Sequence, residues 1–191
     1  MSVIASVIAA TLNAGTPLLI AAIGILIHEK SGVLNLGIEG LMLVGAVAGF
    51  GTTYATGSFA LGFAVGALAG LALAALFGFF TLGLYANQYA AGLALALFGT
   101  GFSAFVGQSL QGKALPARAP EGIPGLENIP FVGEAFFSSH LFVYLALAGL
   151  ALVGWFLYRS RWGLVVRAVG ESPKAAYALG YNVRLIRFCA V

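Results

Sequence analysis

The sequence predicts an all-α membrane protein, a polytopic transmembrane helix bundle, and three observations lead to that prediction. Of the 191 residues, 61% are hydrophobic and only 8% are charged, and the mean hydropathy is +1.01. Soluble domains carry about a quarter charged residues, so this chain has too few to cover its surface in water. Its long apolar runs are continuous rather than alternating, which favours helices over the strands of a barrel.

Five apolar runs approach or exceed the ~20 residues that a helix needs to cross a bilayer. They occupy residues 3–27, 33–50, 59–85, 90–108 and 141–158. A further run begins at Phe188 and stops at Val191. We therefore expect one transmembrane domain over 1–191, with five complete spans, the start of a sixth, and a C-terminally truncated chain.

The basic residues predict how the chain is oriented. Most of the nine lysines and arginines lie in one loop, 159–187: Arg159, Arg161, Arg167, Lys174, Arg184 and Arg187. The positive-inside rule places this loop in the cytoplasm. Counting back through five spans makes 109–140 an external loop and puts the N-terminus outside. The net charge of +3 is thus a local feature and does not indicate a nucleic-acid partner.

Small residues recur every four positions on two of the predicted spans. The positions are Gly62, Gly66, Gly70, Ala74 and Gly78 on the third, and Gly92, Ala96, Thr100 and Ala104 on the fourth. Such stripes let helix backbones approach closely. They predict tight packing inside one bundle or, alternatively, a dimer seam.

Polar residues inside the apolar runs are candidates for a substrate path. Asn13 lies near Pro17 in the middle of the first run. A proline kink there either helps to form a transport site or is satisfied by neighbouring helices. Asn35 and Glu39 are four residues apart, so a helix would place them on one face. Glu39 would then lie about 13 Å past Lys30, close to mid-bilayer, as a structural lock or as part of a substrate path.

Residues 170–180 predict a short capped helix in the basic loop. Ser172 suits the N-cap, Pro173 the first helical position, and Gly180 the left-handed residue past the end. A helix of about seven residues is not stable alone in water, so it needs support from the bundle or from a partner. It suits docking against a cytoplasmic motor, although an ordinary capped loop helix has the same pattern.

Four segments, taken in order, resemble an ABC importer permease family that handles branched-chain amino acids and simple sugars, and its nucleoside branch fits best. Gly32-Val33-Leu34-Asn35-Leu36-Gly37-Ile38-Glu39-Gly40 resembles the family's second-span motif, and Ala86-Asn87-Gln88 with Gly92-Leu93-Ala94-Leu95 resembles the start of its fourth span. Ile123-Pro124-Gly125-Leu126, Ile129-Pro130 and Gly133 resemble its external loop. Arg167-Ala168-Val169-Gly170-Glu171-Ser172-Pro173-Lys174-Ala175-Ala176, followed by Leu179-Gly180-Tyr181-Asn182-Val183, resembles its coupling-helix signature.

The resemblance implies a multi-pass permease subunit in the inner, or plasma, membrane of a bacterium, surrounded by lipid. It would form part of the path for a nucleoside or related small polar solute. The implied partners are an ATP-binding-cassette ATPase, a second permease and a periplasmic or lipoprotein substrate-binding protein. The implied coupling residues are Arg167, Gly170, Glu171, Pro173, Lys174 and Gly180, and the candidate path residues are Asn13, Asn35, Glu39 and Asn87.

Catalysis is not expected of this chain. It lacks a Gly-x-x-x-x-Gly-Lys-Ser/Thr phosphate loop, so ATP hydrolysis is assigned to a partner, and no cofactor or metal is implied. The single cysteine and the absence of aspartate argue against a Cys-rich metal site and a catalytic triad. The alternative is a self-sufficient secondary transporter, which would usually carry coupling acids in several spans, where only Glu39 occurs here.

Overall fold

The computed structural model describes residues 3–115 and 139–191, and this part of the chain folds into helices without any strand. The α-helices are α1 Val3–Lys30, α2 Ile38–Thr56, α3 Phe59–Gly78, α4 Gln88–Gly107, α5 Leu141–Arg159, α6 Arg161–Glu171, α7 Pro173–Ala178 and α8 Val183–Ala190. A π-helical segment, Phe79–Gly83, continues α3, and a 3₁₀ turn, Gln108–Leu110, continues α4.

Five of these helical stretches are long and apolar enough to cross a membrane. They are Ile4–Lys30, Ile38–Thr56, Phe59–Gly83, Gln88–Leu110 and Leu141–Arg159. The predicted all-α polytopic fold class is therefore confirmed. Most of the predicted external loop, including its family-like motif at 123–133, lies outside the described residues.

The chain divides into two compact units, and each is described by itself. Unit 1 contains Met1–Gly24 and Ala117–Ser160, and so includes most of α1 together with α5. Unit 2 contains Ile25–Pro116 and Arg161–Val191. It therefore holds the end of α1, the three helices α2 to α4, and the short helices α6 to α8.

Unit 2 is packed through glycines, where α2 meets α3 at very short range. A Cβ added to Gly66 would lie 2.8 Å from the Gly45 carbonyl oxygen, and one added to Gly49 would lie 3.1 Å from the Gly62 carbonyl oxygen. Gly62 and Gly66 of the predicted stripe therefore pack within the bundle, as the first interpretation required. Gly70 faces open space.

A second close approach joins α2 to α4. A Cβ on Gly99 would lie 2.6 Å from the Gly40 carbonyl carbon, and one on Gly92 would lie 2.7 Å from the Leu36 nitrogen. Beside this crossing, the side chain of Phe77 on α3 is buried in the apolar core of unit 2. Direct backbone contact leaves no room for side chains, so these positions require glycine.

The second span starts later than the sequence predicted, and one prediction fails with it. Residues 31–37 form turns and irregular backbone, and α2 begins only at Ile38. The Asn35 side-chain oxygen accepts a hydrogen bond from the Gly37 N–H at 2.8 Å. Such a local bond competes with helix formation. The expectation that Asn35 and Glu39 share a helical face is therefore wrong, and so is the depth inferred from a straight helix.

The basic loop is more helical than the sequence predicted. Residues 159–187 include α6 and α7, and α8 begins at Val183, before the apolar run that was expected to start at Phe188. The boundaries of the predicted domain, loops and sixth span relative to a membrane stay predictions, because the structure contains no membrane.

Candidate functional site

Counting spans back from the basic loop also places residues 28–31 and 87–88 inside, and these three segments meet at one end of unit 2. The Arg187 Nε–H on α8 donates to the Ser31 carbonyl at 3.0 Å, after the end of α1. A guanidinium nitrogen of the same residue lies 3.4 Å from the Val169 carbonyl on α6. The Leu34 N–H donates to the Gln88 side-chain oxygen at 2.9 Å, at the start of α4.

Two segments that the same count of spans places outside, 51–58 and the start of the 109–140 loop, are close to each other as well. The Lys113 ammonium lies 4.8 Å from the centre of the Tyr54 ring at the end of α2. A Cβ on Gly51 would lie 3.6 Å from a Leu110 methyl group. Both groupings agree with the predicted alternation of loops between two membrane sides. Which side is cytoplasmic stays a prediction.

The short helix α7 has the caps that the sequence predicts. Ser172 is the N-cap, although its side chain makes no capping bond, and Pro173 is the first helical residue. At the other end Gly180 is left-handed, with φ of 89°. The Tyr181 N–H donates to the Ala176 carbonyl at 3.1 Å, and the Gly180 N–H donates to the Tyr177 carbonyl at 2.9 Å. These two bonds form a Schellman motif, which ends the helix firmly.

One side of α7 holds it to unit 2 and the other side is presented outward. Ala176 is only 2% exposed, whereas Tyr177 is 75% and Leu179 is 77% exposed. Lys174 is also exposed. Large exposed apolar side chains beside an exposed lysine, on a helix that is held in place, are typical of a surface that a partner protein covers.

The other predicted coupling residues occupy different surroundings. Gly170 packs against the turn after α1, where an added Cβ would meet the Lys30 carbonyl oxygen and would lie 3.0 Å from the Gly32 nitrogen. A bulky substitution there would disturb packing inside the chain, so it cannot by itself report on docking. Glu171 is exposed at the end of α6, and Arg167 is half-buried within that helix.

Asn35 and Glu39 lie on either side of the start of α2. Asn35 is 7% exposed, and its buried Nδ2 has no hydrogen-bond partner within residues 3–115 and 139–191. Glu39 is exposed in the first turn of α2, where a carboxylate is favourable beside the positive end of the helix dipole. Among the described residues, no side-chain partner holds Glu39 as a lock.

The irregular segment before α2 lies level with the interior of α4. Leu36 and Gly37 pack against Gly92, which lies four residues into α4, or about 6 Å along its axis. Non-helical backbone at membrane depth is tolerated only where protein buries it or where it lines a cavity. The break in helical structure thus lies beside Asn35 and Glu39, whereas α1 runs on through Pro17.

The Asn13 amide makes two hydrogen bonds within unit 1, one as donor and one as acceptor. Its Nδ2 donates to the Ala9 carbonyl at 2.8 Å, and its Oδ1 accepts from the His140 N–H, 3.4 Å away, at the start of α5. This geometry describes a structural link between two helices. It adds no support to the predicted place of Asn13 on a substrate path.

Asn87 caps α4 and lines an aromatic pocket. Its Oδ1 accepts from the Tyr89 N–H at 2.9 Å and from the Ala90 N–H at 3.2 Å. The pocket, about 400 Å³, is otherwise apolar, and its aromatic walls come from Phe77, Phe80 and Phe98. Because the amide oxygen is committed to the cap, only Nδ2 is available as a donor toward this pocket.

The sequence interpretation missed a polar pocket between the π-helical segment and α8. Arg184 and Arg187 both line it, and partial burial lowers the pKa of the Arg187 guanidinium below its usual value. The spacing of three between these arginines was visible in the sequence. They were read only as evidence of membrane orientation, because nothing in the sequence paired them with the end of the third span.

Comparison with known proteins finds a matching family and several related permeases. Residues 7–191 match the family described as "Branched-chain amino acid transport system / permease component". The chain is 45% identical to the "Putative glucose ABC transporter permease protein TsgC13" of Haloferax volcanii, covering 100% of this chain and 59% of that protein. It is 33% identical to the "Guanosine ABC transporter permease protein NupQ" of Bacillus subtilis, with coverages of 100% and 64%.

A third relative is the "Nucleoside ABC transporter permease protein NupC" of Lactococcus lactis. It is 33% identical over 97% of this chain and 62% of its own length. The chain therefore spans about three fifths of the length of the curated relatives it matches. No solved structure matches it.

Proposed function

We propose a transport function for this chain, which belongs to the family of branched-chain amino acid transport system permease components. It acts as the permease subunit of an ATP-binding-cassette importer and forms part of the membrane path for a nucleoside or a simple sugar. A separate ATPase subunit drives it. The names of its relatives support this proposal over the secondary transporter, since all three are ABC permeases.

The observation that carries the proposal is the outward-facing helix α7. A short helix transmits motion only if it is held rigidly, and α7 begins with Pro173, ends in a Schellman motif and is seated through Ala176. The apolar tip formed by Tyr177 and Leu179 would enter a cleft in the ATPase. Lys174 would lie at the wetter edge of that contact, where a surface charge contributes less than about 1 kcal/mol.

The substrate path is proposed to pass the start of α2. Asn35 and Glu39 bring polar side chains to this place, and the irregular backbone between them lacks the internal hydrogen bonds of an unbroken helix. Interrupted helices recur in transport sites, where irregular backbone is tolerated because it lines a cavity. The aromatic pocket beside Asn87 suits a planar nucleobase, because aromatic rings stack on it and one amide can donate to it. A hexose would use the polar groups and gain less from the rings.

The remaining partners follow from the same proposal. A second permease completes the path, a periplasmic or lipoprotein binding protein delivers the solute, and α7 faces the cytoplasm with the N-terminus outside. ATP hydrolysis takes place on the partner, so this subunit is itself non-catalytic.

Cysteine cross-linking tests the docking of α7. The full-length subunit is assembled with its ATPase after Cys189→Ser removes the native thiol, which is exposed. Leu179→Cys, at the C-cap of α7, should cross-link to the ATPase with a short bifunctional thiol reagent. Tyr54→Cys, at the opposite end of unit 2, is the matched control and should not. An assembled, active complex in which Leu179→Cys yields no more product than Tyr54→Cys would refute the docking assignment.

A further inference from the structure

The pocket between the π-helical segment and α8 has a lining that presents hydrogen-bond donors. It measures about 470 Å³, and its polar lining includes Arg184, Arg187, Gln88 and Asn182, with no acidic residue among the lining residues. Tyr85 and Tyr177 add phenol groups. The pocket is a different place from the apolar one beside Asn87.

Both amides have their acceptor oxygen committed elsewhere. The Gln88 oxygen accepts from the Leu34 N–H at 2.9 Å, and the Asn182 oxygen accepts from the Leu185 N–H at 3.1 Å. The N–H₂ group of each amide therefore points away from the backbone N–H that its oxygen binds. Within the described chain neither N–H₂ group has a partner.

The two arginines keep unused donors as well. Arg184 places one nitrogen 3.4 Å from the Gly83 carbonyl, and its guanidinium lies 4.9 Å from the centre of the Tyr85 ring. Arg187 uses its donors on backbone carbonyls only. Neither has an ion pair within residues 3–115 and 139–191. Two guanidinium groups without an anion, next to two free amide donors, match the acceptor oxygens of a phosphate.

The backbone at Tyr85 is strained in a way that forms this pocket. Tyr85 has φ of 57°, the left-handed region, which costs a residue with a side chain about 1–2 kcal/mol. The conformation follows directly after the π-helical segment and brings the ring beside Arg184. Strained backbone of this kind persists where it shapes a site.

An apolar groove continues from the pocket. The groove, about 250 Å³, shares Leu82, Asn182 and Arg184 with the pocket, and Phe79, Leu185 and Phe188 line it further along. The last three side chains are each exposed, at 53%, 60% and 46%. A phosphate site joined to an apolar groove at the end of a membrane span fits an amphiphile better than a soluble anion or an acidic peptide.

We propose that this pocket binds an anionic phospholipid, with the phosphodiester held by Arg184, Gln88 and Asn182 and an acyl chain lying along Phe79, Leu185 and Phe188. Basic pockets beside spanning helices are a recurring way to hold such headgroups. The lipid would link the π-helical end of the third span to α8, and through α8 to α7. This role is additional to transport and does not depend on which solute is carried.

Two substitutions remove a donor while keeping the structural bond of the same side chain. In Gln88→Glu and Asn182→Asp a carboxylate oxygen still accepts from the Leu34 or Leu185 N–H, and Asp remains a good N-cap for α8. Each variant replaces an N–H₂ group by a negative charge facing the phosphate. Gln111→Glu makes the same change in charge at the opposite end of unit 2, where Gln111 is exposed, and serves as the matched control.

The full-length subunit in its assembled complex is delipidated, and binding of dioleoylphosphatidylglycerol and dioleoylphosphatidylcholine is titrated by native mass spectrometry. Both lipids carry the phosphodiester, but phosphatidylcholine also brings a quaternary ammonium group toward a pocket lined by Arg184 and Arg187. We therefore expect the anionic lipid to bind about tenfold more tightly. Gln88→Glu and Asn182→Asp should each weaken it by about tenfold. They should weaken the zwitterionic lipid less, because its ammonium group offsets the added negative charge. Gln111→Glu should match the parent.

Three results would overturn the proposal. The first is equal binding of both lipids to the parent complex. The second is full displacement of the anionic lipid by excess inorganic phosphate, which would make this a site for a free anion. The third is selectivity that appears only after the ATPase is removed, which would assign the pocket to an acidic segment of that partner. Failure here would leave the α7 cross-link unchanged, so the two proposals are tested separately.

Discussion

At the scale of single residues, the proposed substrate path is tested most directly at Glu39. Its carboxylate is exposed at the start of α2 and has no side-chain partner among the described residues. The Nδ2 group of Asn35 nearby is buried and also lacks a hydrogen-bond partner among these residues. An exposed carboxyl group in apolar surroundings must meet water, a solute or another polar chain. A role as an internal lock would require a partner that this part of the chain does not provide.

Glu39→Gln should therefore change transport more than folding. The amide keeps the shape and part of the hydrogen bonding but removes the charge, so we expect altered rate or selectivity with normal yield of assembled complex. Glu39→Leu removes both features and should reduce transport per complex further, by roughly tenfold if one charge-assisted bond is lost. Radiolabelled solute uptake, divided by the amount of complex, measures the effect.

Glu29→Gln is the control for loss of a negative charge, because Glu29 is exposed near the end of α1 and is outside the candidate path. It should leave uptake unchanged. If Glu39→Leu lowers the yield of complex while uptake per surviving complex stays normal, Glu39 has a structural role and does not line the substrate path.

At the scale of elements, glycine contacts decide how the spans of unit 2 pack. Where α2 crosses α4, the backbones at Gly40 and Gly99 touch, and α2 approaches α3 in the same manner. Lipid gives little hydrophobic incentive for helices to associate, so close van der Waals contact is the main attraction. A single methyl group at such a crossing forces the helices apart.

Gly99→Ala should destabilise the subunit by about 1–3 kcal/mol, the range for overpacking a tight interior. An added Cβ would lie 2.6 Å from the Gly40 carbonyl carbon. Gly101→Ala changes the same helix two residues on, where nothing lies within 4 Å of the new atom, and should be neutral or slightly stabilising. Thermal unfolding of the purified complex in detergent compares them. Equal melting temperatures for the two variants would show that the crossing tolerates a side chain.

Hydropathy was sufficient to predict the five spans. The positions of Ser172, Pro173 and Gly180 were sufficient to predict where α7 begins and ends. All of these are local properties of the sequence. The start of α2 was missed because residues 33–37 are almost as apolar as a span, whereas a side-chain bond from Asn35 and the contact with Gly92 set the boundary. The pocket beside Arg184 depends on contacts between distant segments, because residues 81–88 and 177–187 line it together. No window of sequence contains them.

At the scale of the whole molecule, unit 2 has two chemically different ends. One end gathers the turn after α1, the start of α4 and the helices α6 to α8, with the exposed face of α7 outermost. The other holds Tyr54 and Lys113. Family membership assigns the chain to the permeases, and this asymmetry fits a subunit that receives a solute at one end and a motor at the other.

The central claim is that solute crosses only when a separate ATPase drives this subunit, and uptake into proteoliposomes tests it most directly. The full-length subunit is reconstituted with its partner permease, ATPase and binding protein, and uptake of labelled guanosine and glucose is followed with and without ATP on the ATPase side. We predict uptake of one of these solutes that requires ATP and disappears when the ATPase is omitted or made hydrolytically inactive. Equal uptake by the permease subunits alone, driven by an ion gradient, would contradict the claim.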